Sequence, residues 1–513
     1  MTASDRNRRI ARNTVMLYIR TLLTTVITLY TSRVVLAALG VEDYGIYDVV
    51  GGVVVMLSFF VNSLSATTQR FLNYEMGLGN SRAVKNVFST ALTCHLLIAL
   101  LIVVAAETAG LWFVKNRLII PAERLHAAIW VYHFSIATML VAIAAIPCNA
   151  MIIAHERMNI YAYASIADAV MKLIIVYLLQ MLRYDKLVMY GALMLVVTVF
   201  TNGIYVVYCR QKFRECRFTL SWNKTLMKKL MGFSGWMVAG ASSNMLAGQG
   251  VNMLINIFFG PVFNATRNIA KQVHAGAYML TANIITAVRP QIIKSYSQHD
   301  YKYMYRLVFS ASKLAFLLLY IVALPILLHT EYILQLWLKQ PPQFTAIFVQ
   351  IILVDMLVQA SYVSIASISQ ASGKIKRYQI IIAAGFLSEF CLSALFFKLG
   401  YPVYSTFMVA LAVSFLSLFT RLLELRASVG FPVRKFLLEV SARMLLVAIL
   451  AAIAPLAVTM LTSFSIFRFF AVTALSVLST LAVSWFTGFG KWEKELLKQK
   501  IRAVFMPSRH HTV

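Results

Sequence analysis

Charge is scarce in this chain, and acidic charge scarcer still. Asp, Glu, Lys and Arg make up 13% of the 513 residues, and 19 of them are acidic against 47 basic. Soluble domains carry roughly 25% charged residues, so this composition excludes an ordinary soluble surface. Cysteine is also sparse. Cys94, Cys148, Cys209, Cys216 and Cys391 are dispersed, odd in number and form no C-x-x-C, which indicates neither a disulfide framework nor a zinc site. There is no G-x-x-x-x-G-K-S/T and no H-E-x-x-H, so ATP-driven transport by the chain alone lacks its phosphate loop. No catalytic constellation stands out; neither an enzyme nor a cofactor is expected. Alternating strands of about 10 residues are missing, which argues against a membrane β-barrel.

Long apolar runs are what the chain has instead. Hydrophobic residues make up 60% of it and mean hydropathy is +0.75. Runs of about 20 apolar residues recur from Val15 to Phe486, the length a helix needs to cross a bilayer. The fold class expected is all-α: a polytopic membrane protein of about fourteen spanning helices. Arg6, Arg8, Arg9 and Arg12 precede an apolar segment too long for a cleavable signal. Net charge is +28. Nucleic acid would be the soluble-protein reading of that charge; the positive-inside rule explains it better. Placing the N-terminus inside puts roughly 33 Lys and Arg in inner segments against about 9 outside, and leaves both termini cytoplasmic. Membrane lipids are then expected partners, through basic collars at 210–231 and 490–513.

The chain resembles itself when slid by about 220 residues. Leu39-Gly40 meets Phe259-Gly260, and the helix pair 14–39 and 45–75 meets the pair 232–259 and 268–294, joined by a turn at 260–264. Further on, Ala154–Tyr161 matches Ala371–Tyr378. An even number of spans separates the copies, so both enter the membrane in the same direction, a parallel repeat. The domain order expected is an N-terminal lobe at 1–209, a cytoplasmic amphipathic linker at 210–231 built on Trp222, Leu226 and Leu230, a C-terminal lobe at 232–430, an extra helix pair at 431–489 and a basic tail at 490–513.

The runs Tyr30–Tyr47, Ala66–Leu72, Leu336-Trp337-Leu338 and Gln370–Lys376 resemble Wzx-type flippases. These O-antigen and polysaccharide transporters belong to the multidrug/oligosaccharidyl-lipid/polysaccharide (MOP) exporter superfamily. The resemblance implies two six-helix lobes plus a peripheral C-terminal pair. It also implies flipping of an undecaprenyl-diphosphate-linked oligosaccharide across the bacterial inner membrane, alongside other polysaccharide-assembly membrane proteins. Two alternatives stay open. One is a cation-coupled multidrug antiporter of the same superfamily; the other, disfavoured by short outer loops, is a membrane glycosyltransferase or O-antigen polymerase.

Charges inside a membrane helix cost about 2.5–3.5 kcal/mol each on insertion scales, so each should face protein or a wet cavity. On the eighth span, Lys271, His274, Tyr278, Thr281 and Arg289 share one stripe. Cations, a hydroxyl and a stacking ring on one wall suit a diphosphate carrying sugars; snorkelling of Lys271 and Arg289 to the headgroups is the plain alternative. Arg20, Thr24 and Thr28 form a similar stripe on the first span. Arg33 is expected to pair with Glu42, Asp43 or Asp48. Asn252 and Asn256, in a row with Asn244 and Gly248, suit sugar hydroxyls or interhelical bonds. Asp168 lies four residues from Lys172 and is expected to pair with it. Asp355 and Glu389 have no local cation, which makes them, with Asp168, the candidates for ion coupling.

Overall fold

In the computed structural model, residues 3–495 are described, apart from 56, 57, 117, 119, 182, 183, 217–221, 339, 340, 464 and 491. The basic tail beyond 495 lies outside the described residues, as do the side chains of Arg33, Glu42, Asp48 and Asn256. The described residues are almost wholly helical, with no strand among them. In order the helices are α1 (Ala3–Val55, two helices that meet at a kink at Gly40), α2 (Ser58–Gly77), α3 (Ser81–Ala105), α4 (Leu111–Asn116), α5 (Leu125–Ala154), α6 (Met158–Met181), α7 (Lys186–Lys212), α8 (Lys224–Phe259) and α9 (Pro261–Ser297). They continue with α10 (Tyr301–Leu328), α11 (Thr330–Leu338), α12 (Thr345–Tyr362), α13 (Ala366–Ser372), α14 (Ile375–Lys398), α15 (Ser405–Val429), α16 (Val433–Phe436), α17 (Arg443–Leu461) and α18 (Ile466–Val483).

Ten helical tracts among the described residues are long and apolar enough to cross a membrane, so this is a multi-pass membrane protein. α8 and α9, the pair that opens the second copy of the repeat, are not among these ten. They carry polar residues along their length, Asn244, Gln249 and Asn252 on α8 and Lys271, His274 and Arg289 on α9, and these lower their hydropathy.

Helix ends follow local chemistry. Asn80 caps α3 by accepting from the Ala83 N–H at 3.0 Å. Asp185 caps α7 by accepting from Leu187 at 3.0 Å and Val188 at 3.1 Å. Such caps satisfy N–H groups that a helix start leaves unpaired. The expected separate linker helix is not formed. Leu226 and Leu230 are in the first turns of α8, with Leu230 in the core, while Trp222, Lys224, Lys228 and Lys229 are exposed. Gly232 and Gly235 do not break that helix, so the amphipathic stretch and the span are one rod.

The chain forms two compact units. The first comprises Met1–Ser242, Thr286–Tyr301 and Gln370–Gln379; the second comprises Ser243–Ile285, Lys302–Ser369 and Ile380–Val513. In the first, Phe71, Phe88, Met151 and Phe233 belong to one core, and Val131, Tyr132, Ile143 and Leu187 to another. In the second, Phe348 packs on Phe407 at 4.3 Å, and Phe309, Phe431 and Phe436 form an aromatic knot.

The offset seen in the sequence is written in the backbone. Gly40 and Gly260 both have positive φ, +81° and +85°. After α2, the N–H groups of Leu78, Gly79 and Asn80 bond to the carbonyls of Tyr74, Met76 and Glu75; after α9, those of Gln298, His299 and Asp300 bond to Lys294, Tyr296 and Ser295 in the same pattern. Gly79 and His299 are both left-handed there, as are Glu156 and Gly373 at the second match.

Candidate functional site

Gly260 alone separates α8 from α9. The expected five-residue turn therefore shrinks to one residue, with Pro261 at the first helical position, where its missing N–H costs nothing. The tight connection folds α9 back along α8. Arg267 Nη1 then donates to Gly248 O at 3.1 Å and to Asn252 Oδ1 at 3.2 Å. Arg267 is 5% exposed. Sequence reasoning did not single it out; the early start of α9 puts it on that helix, against α8, rather than in a loop.

One turn further, Lys271 is exposed. His274 and Tyr278 follow, their rings parallel with centroids 6.3 Å apart, and the Thr281 hydroxyl donates to Tyr278 O at 3.0 Å. Glu389, on α14, lies within electrostatic reach of Arg267, Lys271 and Asp355. It is thus not the isolated carboxylate its own helix suggests; its cations come from α9. Gly250 keeps α8 close to α14, because a Cβ there would stand 2.7 Å from the Phe390 ring. Asp355 Oδ2 accepts from Gln359 Nε2 at 2.8 Å, and Gln359 also donates to Ser414 Oγ at 3.3 Å. The cluster in the second unit is therefore a polar band: two cations, two carboxylates, an amide and a stacked ring pair.

Arg289 does not join that band as one continuous wall. It belongs to the segment 286–301, in the first unit, whereas Lys271, His274, Tyr278 and Thr281 belong to the second. Asn252 is engaged by Arg267, which gives it a packing role in this state. In the first unit, the Arg20 guanidinium lies 4.8 Å from the centre of the Tyr161 ring. The Thr24 hydroxyl bonds back to Arg20 O at 2.9 Å, and Thr28 is exposed. Asp168 pairs with Lys172 at 2.7 Å and accepts from the Thr201 hydroxyl at 3.3 Å. Asp43 is bound by Arg124, which also reaches Asp185 at 2.6 Å. Asp43 was one of three partners expected for Arg33, whose side chain lies outside the described residues; the cation that holds Asp43 among the described residues comes from more than eighty positions away in the chain.

A second cluster lies within the first unit and joins distant parts of the sequence. Glu156, 3% exposed, accepts from Gln291 Nε2 at 2.6 Å and from Lys294 Nζ at 2.9 Å. Asn13 Nδ2 donates to Glu156 O at 3.1 Å, and Lys294 Nζ also donates to Ala154 O at 2.7 Å. The mirror arrangement involves Arg70, which donates through Nε to Gln370 O at 3.0 Å and through Nη2 to Ala371 O at 3.3 Å. Ala154 and Ala371 are paired positions of the repeat. Each ends a helix whose last carbonyls attract a cation, and each cation is donated by the other half of the sequence. Gly373 leaves room for this, since a Cβ there would be 2.7 Å from Arg70 Nη2. The sequence match at 154–161 and 371–378 was the available signal, but nothing local names the partners.

A family model described as polysaccharide biosynthesis protein matches residues 10–298. The chain belongs to that family. No curated protein matches the chain in sequence. Several solved transporters share its fold. A MATE mutant is 13% identical with a TM-score of 0.73, covering 83% of this chain and 97% of that one. A MOP superfamily transporter from Pyrococcus furiosus is 13% identical with a TM-score of 0.70, covering 84% and 96%. An outward-facing multidrug resistance MATE family transporter of the MOP superfamily is 14% identical with a TM-score of 0.69, covering 82% and 95%. At such identities the likeness is one of fold alone, shared over more than four fifths of this chain.

Proposed function

We propose that this chain moves a lipid-diphosphate-linked oligosaccharide across the bacterial inner membrane by alternating access, with both termini cytoplasmic. The observation that carries this reading is the cation row Arg267–Lys271 on α9, followed on the same helix by the His274–Tyr278 ring stack. A diphosphate calls for cations, and sugars call for flat rings and amides. Arg20 and Arg289 are proposed to meet the same substrate at other stages of transit. Glu389 and Asp355 are proposed as the coupling groups. A proton or sodium ion on Glu389 would remove its hold on Arg267 and Lys271 and free those cations for phosphate. The reciprocal bonds of Arg70 and Lys294 to opposite halves are proposed to hold one access state and to open in the other.

The test is accumulation of the lipid-linked intermediate on the inner leaflet in a deletion strain, restored to normal by the wild-type chain and not by Lys271→Glu. Normal surface glycan with Lys271→Glu and Arg267→Glu combined would end the phosphate reading.

A multidrug antiporter is the second reading, favoured by the two membrane carboxylates beside the cations and by the solved MATE relatives. The Pyrococcus furiosus transporter is described as having a binding pocket of reverse polarity that suggests a different function, which fits a fold whose pocket charge varies with its cargo. Drug resistance conferred by the chain, unchanged by Lys271→Glu and abolished by Glu389→Gln, would favour the antiporter.

A further inference from the structure

The junction between α15 and α16 holds a cavity of about 740 Å³ lined by Arg426, Phe431, Arg434, Lys435, Leu438 and Glu439, among others. It is remote in sequence from the cation row and has no part in the transport reading above. Its charge is unbalanced. Lys435 stands 3.8 Å from Glu439, both of them exposed or nearly so. Neither Arg426 nor Arg434, both exposed, has a carboxylate partner among the described residues. Gly430, left-handed at φ +68°, ends α15 and turns the chain so that cations from two helices face one space.

Two apolar stripes lead to this cavity. On α15, Leu416, Phe419 and Leu423 are exposed at helical spacing, and Arg426 is the next residue on that face. On the other side, Leu438 opens an exposed row continued by Leu445, Ile449 and Ile453 on α17. Leu437–Ala442 is a π-helical turn, a local widening that recurs at functional positions. Exposed apolar stripes in a multi-pass protein face acyl chains, and cations where such stripes end meet lipid phosphate.

We infer that this cavity is a binding site for the phosphate headgroup of an anionic membrane phospholipid whose acyl chains lie along the α15 and α17 stripes. Arg426 and Arg434 contact the phosphate oxygens, Lys435 adds a third positive charge, and Phe431 forms the apolar floor under the glycerol. The occupant is a bulk membrane lipid held for long residence. The stripes are open to the bilayer along their length, which suits acyl chains.

Native mass spectrometry of the full chain, delipidated and titrated with phosphatidylglycerol, tests the site. Each neutralised charge is expected to weaken retention about fivefold, so a chain carrying Arg426→Gln, Arg434→Gln and Lys435→Gln together should lose binding by about a hundredfold. Arg434→Lys should retain most of it, and Lys398→Gln, outside the cavity, should change nothing. The substituted side chains are exposed, and an unchanged thermal unfolding midpoint without lipid shows that the fold is intact; a lowered midpoint is met by the single Lys435→Gln variant, which should still lose about fivefold. Equal retention of phosphatidylcholine by the wild type would overturn the inference. So would displacement of phosphatidylglycerol by a short-chain isoprenyl diphosphate at equal concentration, which would assign the cavity to the transported lipid. A transport defect in Lys271→Glu that leaves phosphatidylglycerol retention untouched keeps the two sites distinct.

Discussion

The helix pairs α1–α2 and α8–α9 share a backbone and differ in chemistry. Both turn at a glycine of positive φ, and both end in the same set of three hydrogen bonds. Yet the place of Arg267 in the second pair is held in the first by Tyr47, whose ring lies 4.7 Å from that of Tyr190. The place of Lys271 is held by Gly51. Geometry has been kept where the chain must turn and cap itself, while the intervening face has changed from aromatic packing to positive charge, buried at Arg267 and exposed at Lys271. Two copies of one frame can therefore perform different tasks, one closing on its neighbours and one presenting charge inside a membrane.

The most severe way to break the comparison is to reverse the charge that distinguishes the pairs. Lys271→Glu should lower glycan export at least about a hundredfold, since a removed attraction becomes a repulsion next to Glu389. Gly51→Glu, at the matched first-copy position, should cost far less; equal losses in a surface-glycan assay would show that the asymmetry carries no function.

Removing one cation of the reciprocal bonds comes next. Lys294→Met leaves the Glu156 carboxylate buried with only neutral donors among its described partners, at a cost of up to roughly 3–5 kcal/mol. Arg70→Met loses bonds to two carbonyls and contacts over the Phe71, Tyr74 and Phe233 rings but strands no buried charge, at roughly 1–3 kcal/mol. Chemical or thermal unfolding should rank the two in that order, and the reverse order would refute the assignment of Glu156 as the buried anchor.

Acid should act on the first copy only. His155 lies outside the spans and stacks on Phe213 with centroids 4.0 Å apart. Burial, and then the nearby Lys294 charge, lowers its pKa from 6.5 to about 4. The unfolded chain takes up this proton below about pH 6.5 and the folded chain does not. Stability from this site is therefore complete above that pH and is lost as pH falls toward 4. At about 1.4 kcal/mol per pKa unit the loss is at most roughly 3 kcal/mol. His155→Phe should flatten the acid side of a melting-temperature profile; Ser372, its second-copy counterpart, takes up no proton in this range, so Ser372→Ala should leave the slope as it was.

The smallest effects belong to the turns. Gly40→Ala and Gly260→Ala meet no neighbour within 4 Å, so each should cost only the backbone strain of a positive φ, roughly 1–3 kcal/mol. Near-equal shifts in unfolding midpoint are expected, and a several-fold difference would mean that the two turns are not equivalent.

How much of this was legible before the structure depends on the range of the interaction. Membrane insertion, helical class and the repeat follow from apolar run length and from glycines and matches at a fixed offset, which are local or periodic signals. So does the Asp168–Lys172 pair, because four residues along a helix is a local spacing. The polar stripe of α9 was also readable from its period, and the structure stacks His274 on Tyr278 along it; its role in binding is the proposal made above. What remained hidden were partners from other helices. Arg267 reads as a loop residue until α9 is seen to start at Pro261. Glu389 reads as solitary until α9 brings it two cations, and Arg124 reads as an outer charge until it is found bridging Asp43 and Asp185. The division of the α9 stripe, with Arg289 in one compact unit and Lys271 in the other, has no local trace at all. The sequence by itself determined that cations would line a membrane helix, since hydropathy and helical period are properties of neighbours in the chain. Tertiary structure alone decided which carboxylates and carbonyls receive them, because ion pairs between helices depend on contacts between residues far apart in sequence, which no local pattern encodes.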